Sequence, residues 1–269
     1  MAHPSVIRVN CTILILAPKL RKAMWRAGKL VSLELPDLAL VEIPIEMQGI
    51  MQGFLDFDRS LDQFWSDYER ATGLAGPFVR AARYSLDDFL LELRKAKLVK
   101  PELKVACYGS VQDEKHRARL SEKLLALELR SKISRINVKE WRGYLAEELL
   151  SSQSSFKSTY DRLVGRLRGE LKKAVVWCGS ASPIVNVLRK NGCPLQVRYV
   201  VSYLKPPLVA LLALARIRGL DNIADQEIET GVKMHLQYLN LVISGENLDI
   251  AHRQWEEMVR STVVRSTHT

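Results

Sequence analysis

Polar and small residues of this sequence stand where its apolar runs, and so its expected strands, come to an end. Glu42 lies inside one such run, Gly109 and Ser110 follow another, and Gly179 follows a third. Open parallel sheets bind ligands at the carboxyl ends of their strands. A glutamate there has the chemistry of a general base, a general acid or a metal ligand, and serine or threonine hydroxyls bind polar groups. The predicted site has Glu42 as its catalytic candidate and, as ligand-binding candidates, Thr12, Gly109, Ser110, Gly179, Ser180 and Ser182.

Each of these features also has a structural interpretation. Gly-Ser after a strand is an ordinary turn. Ser182-Pro183 is a good helix start, although the free amides of a helix start also favour an anion. Glu42 is equally consistent with pairing to a basic residue or with a position at the exposed end of its strand, because a buried unpaired carboxylate is costly. The residues alone leave both interpretations open.

Cysteine and histidine spacing supports no metal site. The four cysteines, Cys11, Cys107, Cys178 and Cys193, contain no CxxC pair, and no two histidines have helical metal-ligand spacing. The GxGxxG, GxxxxGK[ST] and GxSxG motifs are missing, so no motif supports dinucleotide binding, P-loop chemistry or a nucleophile elbow. We therefore predict no metal and no cofactor.

The elements that must position the site alternate between strand and helix. Five strands are predicted from apolar, β-branched runs at residues 6–16, 38–43, 103–108, 174–178 and 195–201. Within the first run, the strand itself is expected to end near Asn10–Thr12. Helices are predicted between them, one of them capped by Ser85, and SSQSS at 151–155 is expected to be the tip of a helical hairpin. This order predicts an α/β fold with a mainly parallel sheet of about five strands, a long helical insertion and a C-terminal helical region.

The predicted domain organisation has an α/β domain at residues 1–205, with the helical insertion at 113–173. A C-terminal helical extension at 206–269 is expected to pack on it. The 269 residues are 47% hydrophobic and 26% charged, which is typical of a globular protein and excludes extensive disorder. No signal peptide or 20-residue apolar span is recognisable, so a cytoplasmic protein without a membrane partner is expected.

Most of the net charge of +10 comes from one segment. Residues 115–173 contain 15 Lys and Arg against 7 Asp and Glu, a balance of +8. Aromatic residues lie among these charges, including Trp141, Tyr144 and Tyr160, and aromatic side chains can stack on bases. A nucleic acid or nucleotide is therefore the alternative partner, with a solvated helical face as the structural interpretation. The candidate contacts are Arg162, Arg166, Arg168, Lys172 and Lys173.

A third hypothesis is an interaction protein. Ile228, Val232, Leu236, Leu239 and Ile243 form an apolar stripe at helical spacing. Such a stripe either meets a partner chain or packs on the protein's own core.

Residues 6–46, with Pro36-Asp37 and Glu42, resemble the opening of the TraB/ChaN/erythromycin-esterase-like superfamily. Residues 84–108 resemble its next helix and strand, and residues 172–192 its late strand-Gly-helix element. The resemblance implies hydrolase chemistry, metal-dependent or esterase-like, or haem binding, each using motif histidines. This sequence has Asn10-Cys11-Thr12-Ile13 and Ser182 at those places. A divergent, catalytically degenerate domain that binds a small anionic or polar ligand is therefore expected, and a hydrolase if it is active.

Overall fold

A computed structural model describes residues 8–74, 76–167, 170–179 and 182–266. Within these ranges five strands form one parallel sheet in the order β3-β2-β4-β1-β5. The predicted α/β class with a parallel sheet of about five strands is confirmed. The strands are β1 (Arg8–Leu16), β2 (Leu38–Pro44), β3 (Lys104–Gly109), β4 (Glu170–Cys178) and β5 (Leu195–Tyr199).

Helices follow each of the strands, and the predicted insertion between the third and fourth strands is a pair of long helices. No helix in the described ranges has the length and apolar character needed to cross a bilayer. The helices are α1 (Arg21–Glu34), α2 (Gln48–Leu55), α3 (Leu61–Thr72), α4 (Gly76–Val99), α5 (Val111–Ile133), α6 (Val138–Arg166), α7 (Ser182–Lys190), α8 (Pro207–Arg218), α9 (Asp225–Ser244) and α10 (Leu248–Ser266).

Both faces of the sheet are buried, which explains why its strands are nearly continuous apolar runs. In β1, Ile13 and Ile15 face a core formed with α1 to α4, while Leu14 and Leu16 face a second core formed with α6 and α7. The helices that follow β1 and β4, which are α1 and α7, therefore cover opposite faces of the sheet. On its own face, α1 approaches α4 closely at Gly28, where a Cβ would lie 2.7 Å from Glu92 Cβ.

The chain divides into two compact units. The first comprises Met1–Ala118 and Ser154–Ser202, and the second comprises Arg119–Gln153 and Tyr203–Thr269. The second unit has its own core, to which α5, α6, α8 and α9 contribute. This division differs from the predicted boundary at 205/206, since the outer part of the helical insertion groups with the C-terminal helices.

Three predicted boundaries are wrong. Strand β1 continues to Leu16 rather than ending near Asn10–Thr12. SSQSS lies inside α6, and the hairpin turns at residues 134–137, where Asn137 Oδ1 accepts the Glu140 N–H at 3.3 Å. Ser85 is inside α4, and its hydroxyl donates to the Ala82 carbonyl at 3.1 Å instead of capping a helix.

Side chains satisfy backbone groups at the margins of the sheet. Asp37, at the amino end of β2, accepts the backbone N–H groups of Lys172 and Lys173 and the Lys100 ammonium. On the edge strand β3, the Gln48 amide donates to the Val105 carbonyl at 2.9 Å and accepts the Cys107 N–H at 2.8 Å. The Pro36-Asp37 motif therefore has a structural role, and part of the β3 edge is occupied.

Candidate functional site

Glu42 lies near the carboxyl end of β2, where groups from two neighbouring connections meet it. Its Oε2 accepts the Gly179 N–H, just after β4, at 3.2 Å. Its Oε1 accepts from Arg117 Nη1, in the second turn of α5, at 3.1 Å. Lys19, just after β1, adds a positive charge, and its Cε lies 3.7 Å from where a Cβ on Gly179 would be. The cluster therefore joins Glu42 of β2 to groups from the connections that follow β3, β4 and β1.

The charges around Glu42 decide its protonation state. Burial alone would raise the pKa of Glu42, but the charges of Arg117 and Lys19 and the Gly179 N–H outweigh burial and hold it below the ordinary value. The carboxyl is therefore ionised at neutral pH and is poorly suited to act as a general acid. The sequence left open whether Glu42 pairs with a basic residue, and in the structure it pairs with Arg117.

Arg117 joins two carboxylates. Besides Glu42, its Nη2 donates to Glu114 Oε1, one turn earlier in α5, at 2.7 Å. Burial would lower the pKa of Arg117, but Glu114 and Glu42 raise it above the ordinary value. The Arg117 side chain is nevertheless 41% exposed, against 18% for Glu42, so the cluster opens to solvent on the arginine side.

Two tyrosines pack close to these charges. Tyr68 of α3 is buried, and burial together with Glu114 raises the pKa of its hydroxyl. Tyr108 of β3 reaches across β2 and donates to the Trp177 carbonyl of β4 at 2.6 Å. Burial raises the pKa of Tyr108 well above its ordinary value, and Cys178 and Glu42 add to the effect. Both tyrosines are therefore neutral hydrogen-bonding groups at neutral pH.

Gly109 and Ser110 have structural roles at the end of β3. A Cβ on Gly109 would lie 2.9 Å from the backbone C and O of Ile43, so the two strands approach too closely for any side chain. The Ser110 hydroxyl accepts the Gln112 N–H at 3.1 Å, and its carbonyl accepts the Glu114 N–H, which caps the start of α5.

Thr12 does not reach the carboxyl edge. It lies mid-strand in β1, four residues and about 13 Å before the strand ends at Leu16. The placement of Thr12 with the strand-end residues is therefore wrong. Its side chain is fully buried, and its hydroxyl has no hydrogen-bond partner among the described residues.

The serine-rich loop after β4 is described only in part. Ser180 lies outside the described residues. Ser182 begins α7, as the Ser-Pro pair predicts, but its side chain also lies outside the description. Gly179 is the described member of this loop, and its amide contacts Glu42.

Two of the basic residues of the alternative hypothesis are held in ion pairs with acidic side chains. Arg162 donates to Asp113 at 2.9 Å and to the Tyr108 carbonyl, and Lys173 pairs with Glu34 at 2.9 Å. Arg166 and Lys172 are exposed, while Arg168 lies outside the described residues. Arg166 lines a hollow of about 520 Å³ beside β3, together with Lys97 and Lys104.

Several apolar candidates for partner contacts belong to the core instead. Trp141 is fully buried and donates to the Ser131 hydroxyl at 2.9 Å, and Tyr144 is buried beside it, so neither is available to stack on bases. Ile228 and Val232 of the α9 stripe are also buried in the core of the second unit. The stripe therefore packs mainly on its own unit, although Ile243 at its end is exposed.

Sequence reasoning identified Glu42 and Gly179 but missed Lys19, Glu114 and Arg117. The available signals were a lysine shortly after the first strand and an acid-base pair three residues apart in the first turns after the third strand.

A second hollow, of about 750 Å³, lies between α2 and α3, and none of its lining residues belongs to the cluster. Within the described ranges, no three His, Cys, Asp or Glu side chains lie close enough together to hold a metal ion.

Comparisons with protein-family models, curated proteins and solved structures found no match to this chain.

Proposed function

We propose that the α/β unit binds a small ligand with an anionic or polar group at the carboxyl ends of β1, β2 and β4. The observation that carries this proposal is the Glu42 carboxylate, held between Arg117, the Gly179 amide and the charge of Lys19. Ionised groups partly removed from water are costly to maintain, and a polar ligand that pairs with them offsets that cost.

The position of the cluster supports the same proposal. Helix α1 follows β1 on one face of the sheet, and α7 follows β4 on the other. Adjacent strands whose connections leave on opposite faces open a crevice at their carboxyl ends, which is where α/β sheets bind ligands. Lys19 and Gly179 belong to these two connections.

Binding is favoured over catalysis by the state of Glu42. Its lowered pKa makes it a poor proton donor at neutral pH, and its ion pair with Arg117 weakens it as a base. We therefore propose a divergent, catalytically degenerate member of the TraB/ChaN/erythromycin-esterase-like superfamily, and a hydrolase if any activity is present.

A glycine substitution tests the site. A Cβ on Gly179 would lie 3.6 Å from Glu42 Oε2, an ordinary contact, so Gly179→Leu should fold while its longer side chain fills the crevice. The control is Gly165→Leu, because a Cβ on Gly165 meets nothing within 4 Å. Titration calorimetry with a panel of polyols, amides, carboxylates and phosphate esters should detect a ligand for the wild type and the control.

We expect that ligand to lose measurable affinity for Gly179→Leu. Unchanged binding by Gly179→Leu, or no binding of any panel compound to the wild type, contradicts the proposal.

The second candidate function is binding of a nucleic acid or nucleotide. It is favoured by the three cationic side chains that line the hollow beside β3: Lys97, Lys104 and Arg166. Anisotropy of a labelled single-stranded oligonucleotide should show affinity that falls steeply with salt and decreases in Arg166→Gln. The control is Arg80→Gln, an exposed arginine of α4 outside the lining of this hollow, which should leave the affinity unchanged. Affinity that is independent of salt, or equal in both variants, excludes this candidate.

A further inference from the structure

The groups around Glu42 are those that proteins use to bind an anion. Arg117 supplies a guanidinium at 3.1 Å, Gly179 supplies a backbone N–H at 3.2 Å, and Lys19 supplies an ammonium charge. Guanidinium groups and main-chain amides next to helix starts are common partners of carboxylates and phosphates. In this protein the anion that they hold is a side chain of the protein itself.

The charges of the cluster are already balanced. Arg117 and Lys19 contribute two positive charges, and Glu42 and Glu114 contribute two negative charges. A bound anion would add a negative charge with no counter-charge, or would have to displace Glu42. Displacement is difficult, because a carboxylate tethered to β2 has a high effective concentration at its own binding groups.

We infer that Glu42 is the specificity-determining residue of this site, and that it occupies the anion position and restricts the site to uncharged polar ligands. This inference rests on the proposed function and narrows its ligand to hydroxyl- or amide-bearing compounds without a net negative charge. Such a ligand adds no net charge to a cluster whose charges are already balanced, and it leaves the pair between Arg117 and Glu42 in place.

Removal of one charge should therefore create an anion site. Glu42→Gln keeps the shape of the side chain but leaves Arg117 and Lys19 opposed by Glu114 alone. Inorganic sulfate is a suitable probe, and calorimetry at fixed low ionic strength and pH 7 measures its affinity. We expect sulfate to bind Glu42→Gln more tightly than the wild type by about tenfold or more, the gain expected from one charge-assisted interaction.

Glu46→Gln is the matched control. It removes the same charge four residues away, where the carboxylate is exposed and accepts the Val111 N–H at 3.3 Å. We expect no gain in sulfate affinity for Glu46→Gln, and we expect Arg117→Gln to abolish the gain when it is combined with Glu42→Gln. Equal sulfate affinity of the wild type, Glu42→Gln and Glu46→Gln would overturn the inference.

A measurement on the wild type covers the case in which Glu42→Gln does not fold. The Gly179 amide resonance should be insensitive to sulfate, because Glu42 already occupies its N–H, and a saturable shift would overturn the inference. Neither experiment needs the natural ligand. If no panel compound binds the wild type but Glu42→Gln binds sulfate more tightly, only the proposed function is contradicted. If a panel compound binds the wild type but Glu42→Gln shows no gain in sulfate affinity, only the inference is contradicted.

Discussion

At the scale of single residues, Glu42 shows how burial and charge together set the role of a carboxylate. The sequence places an acid in an apolar run, and the structure pairs it with Arg117 and the Gly179 amide. Burial alone would raise the pKa of Glu42, and the ion pair with Arg117 is among the interactions that hold it below the ordinary value. The residue is thereby a fixed charge of the site rather than a proton carrier.

The lowered pKa of Glu42 predicts a pH-dependent contribution to stability. Its folded pKa lies below the ordinary value of 4.5, so its contribution is complete above pH 4.5 and disappears as the pH falls through the folded pKa. Glu42→Gln should cost about 1–3 kcal/mol of unfolding free energy at pH 7, towards the lower end because Arg117 is partly exposed.

Urea unfolding at pH 7 and near pH 3 measures this difference between the wild type and Glu42→Gln. We expect the difference to be larger at pH 7 than at the lower pH. The same difference at both pH values would show that the ion pair does not act as described.

Two site glycines should differ in how much stability they lose on substitution by alanine. A Cβ on Gly109 would lie 2.9 Å from the Ile43 backbone, so Gly109→Ala should destabilise the protein by about 1–3 kcal/mol. A Cβ on Gly179 has its nearest contact at 3.6 Å, so Gly179→Ala should be nearly neutral. Thermal unfolding of both variants checks these two predictions. Equal losses of stability would show that the close approach of β3 to β2 is not the reason for a glycine at position 109.

At the scale of elements, strands were predicted better than the limits of helices. Strands β2 to β5 were located within a few residues, because buried parallel strands are apolar on both faces. SSQSS was misread because serine and glutamine are common in turns, yet α6 accommodates them within one long helix. Packing along a helix outweighs such weak local preferences.

The helical hairpin offers a test of its true turn. Asn137 caps α6, with Oδ1 accepting the Glu140 N–H and Nδ2 donating to Glu140 Oε1. Asn137→Ala should cost about 1 kcal/mol, whereas Asn137→Ser keeps an oxygen that can accept the Glu140 N–H and should cost little. Chemical denaturation compares the two variants, and a neutral Asn137→Ala would place the helix start elsewhere.

The candidate site was predictable only in part, because its contacts join residues from different elements of the fold. Glu42 and Gly179 stood out as residues at strand ends. Their contact depends on β4 lying next to β2, an order that does not follow from the order of strands along the chain. Lys19 and Arg117 were missed for the same reason. Thr12 was misplaced because polar residues inside the apolar run suggested an early strand end, whereas β1 continues to the end of the run at Leu16.

At the scale of the whole molecule, the division into units can be tested directly. Ile228 is fully buried in the core of the second unit, and Leu14 is fully buried in a core of the first. Large-to-small substitutions at such positions cost about 2–5 kcal/mol. Ile228→Ala should therefore accelerate amide hydrogen exchange in Arg119–Gln153 together with Tyr203 onwards, and Leu14→Ala should accelerate it in the sheet.

Mass spectrometry of deuterium uptake resolves these segments. A sequential division at 205/206 makes a different prediction, in which Arg119–Gln153 follows the sheet. If that segment keeps its protection in Ile228→Ala and loses it in Leu14→Ala, the two-unit description is incorrect.

Gln48 has a consequence for how the protein behaves among its own copies. An exposed edge strand is a template on which a second chain can add a strand, and addition repeated from copy to copy leads to aggregation. The Gln48 amide occupies the Val105 carbonyl and the Cys107 N–H, two of the backbone groups that such an addition would use. One side chain thus competes with strand addition at the β3 edge of the sheet.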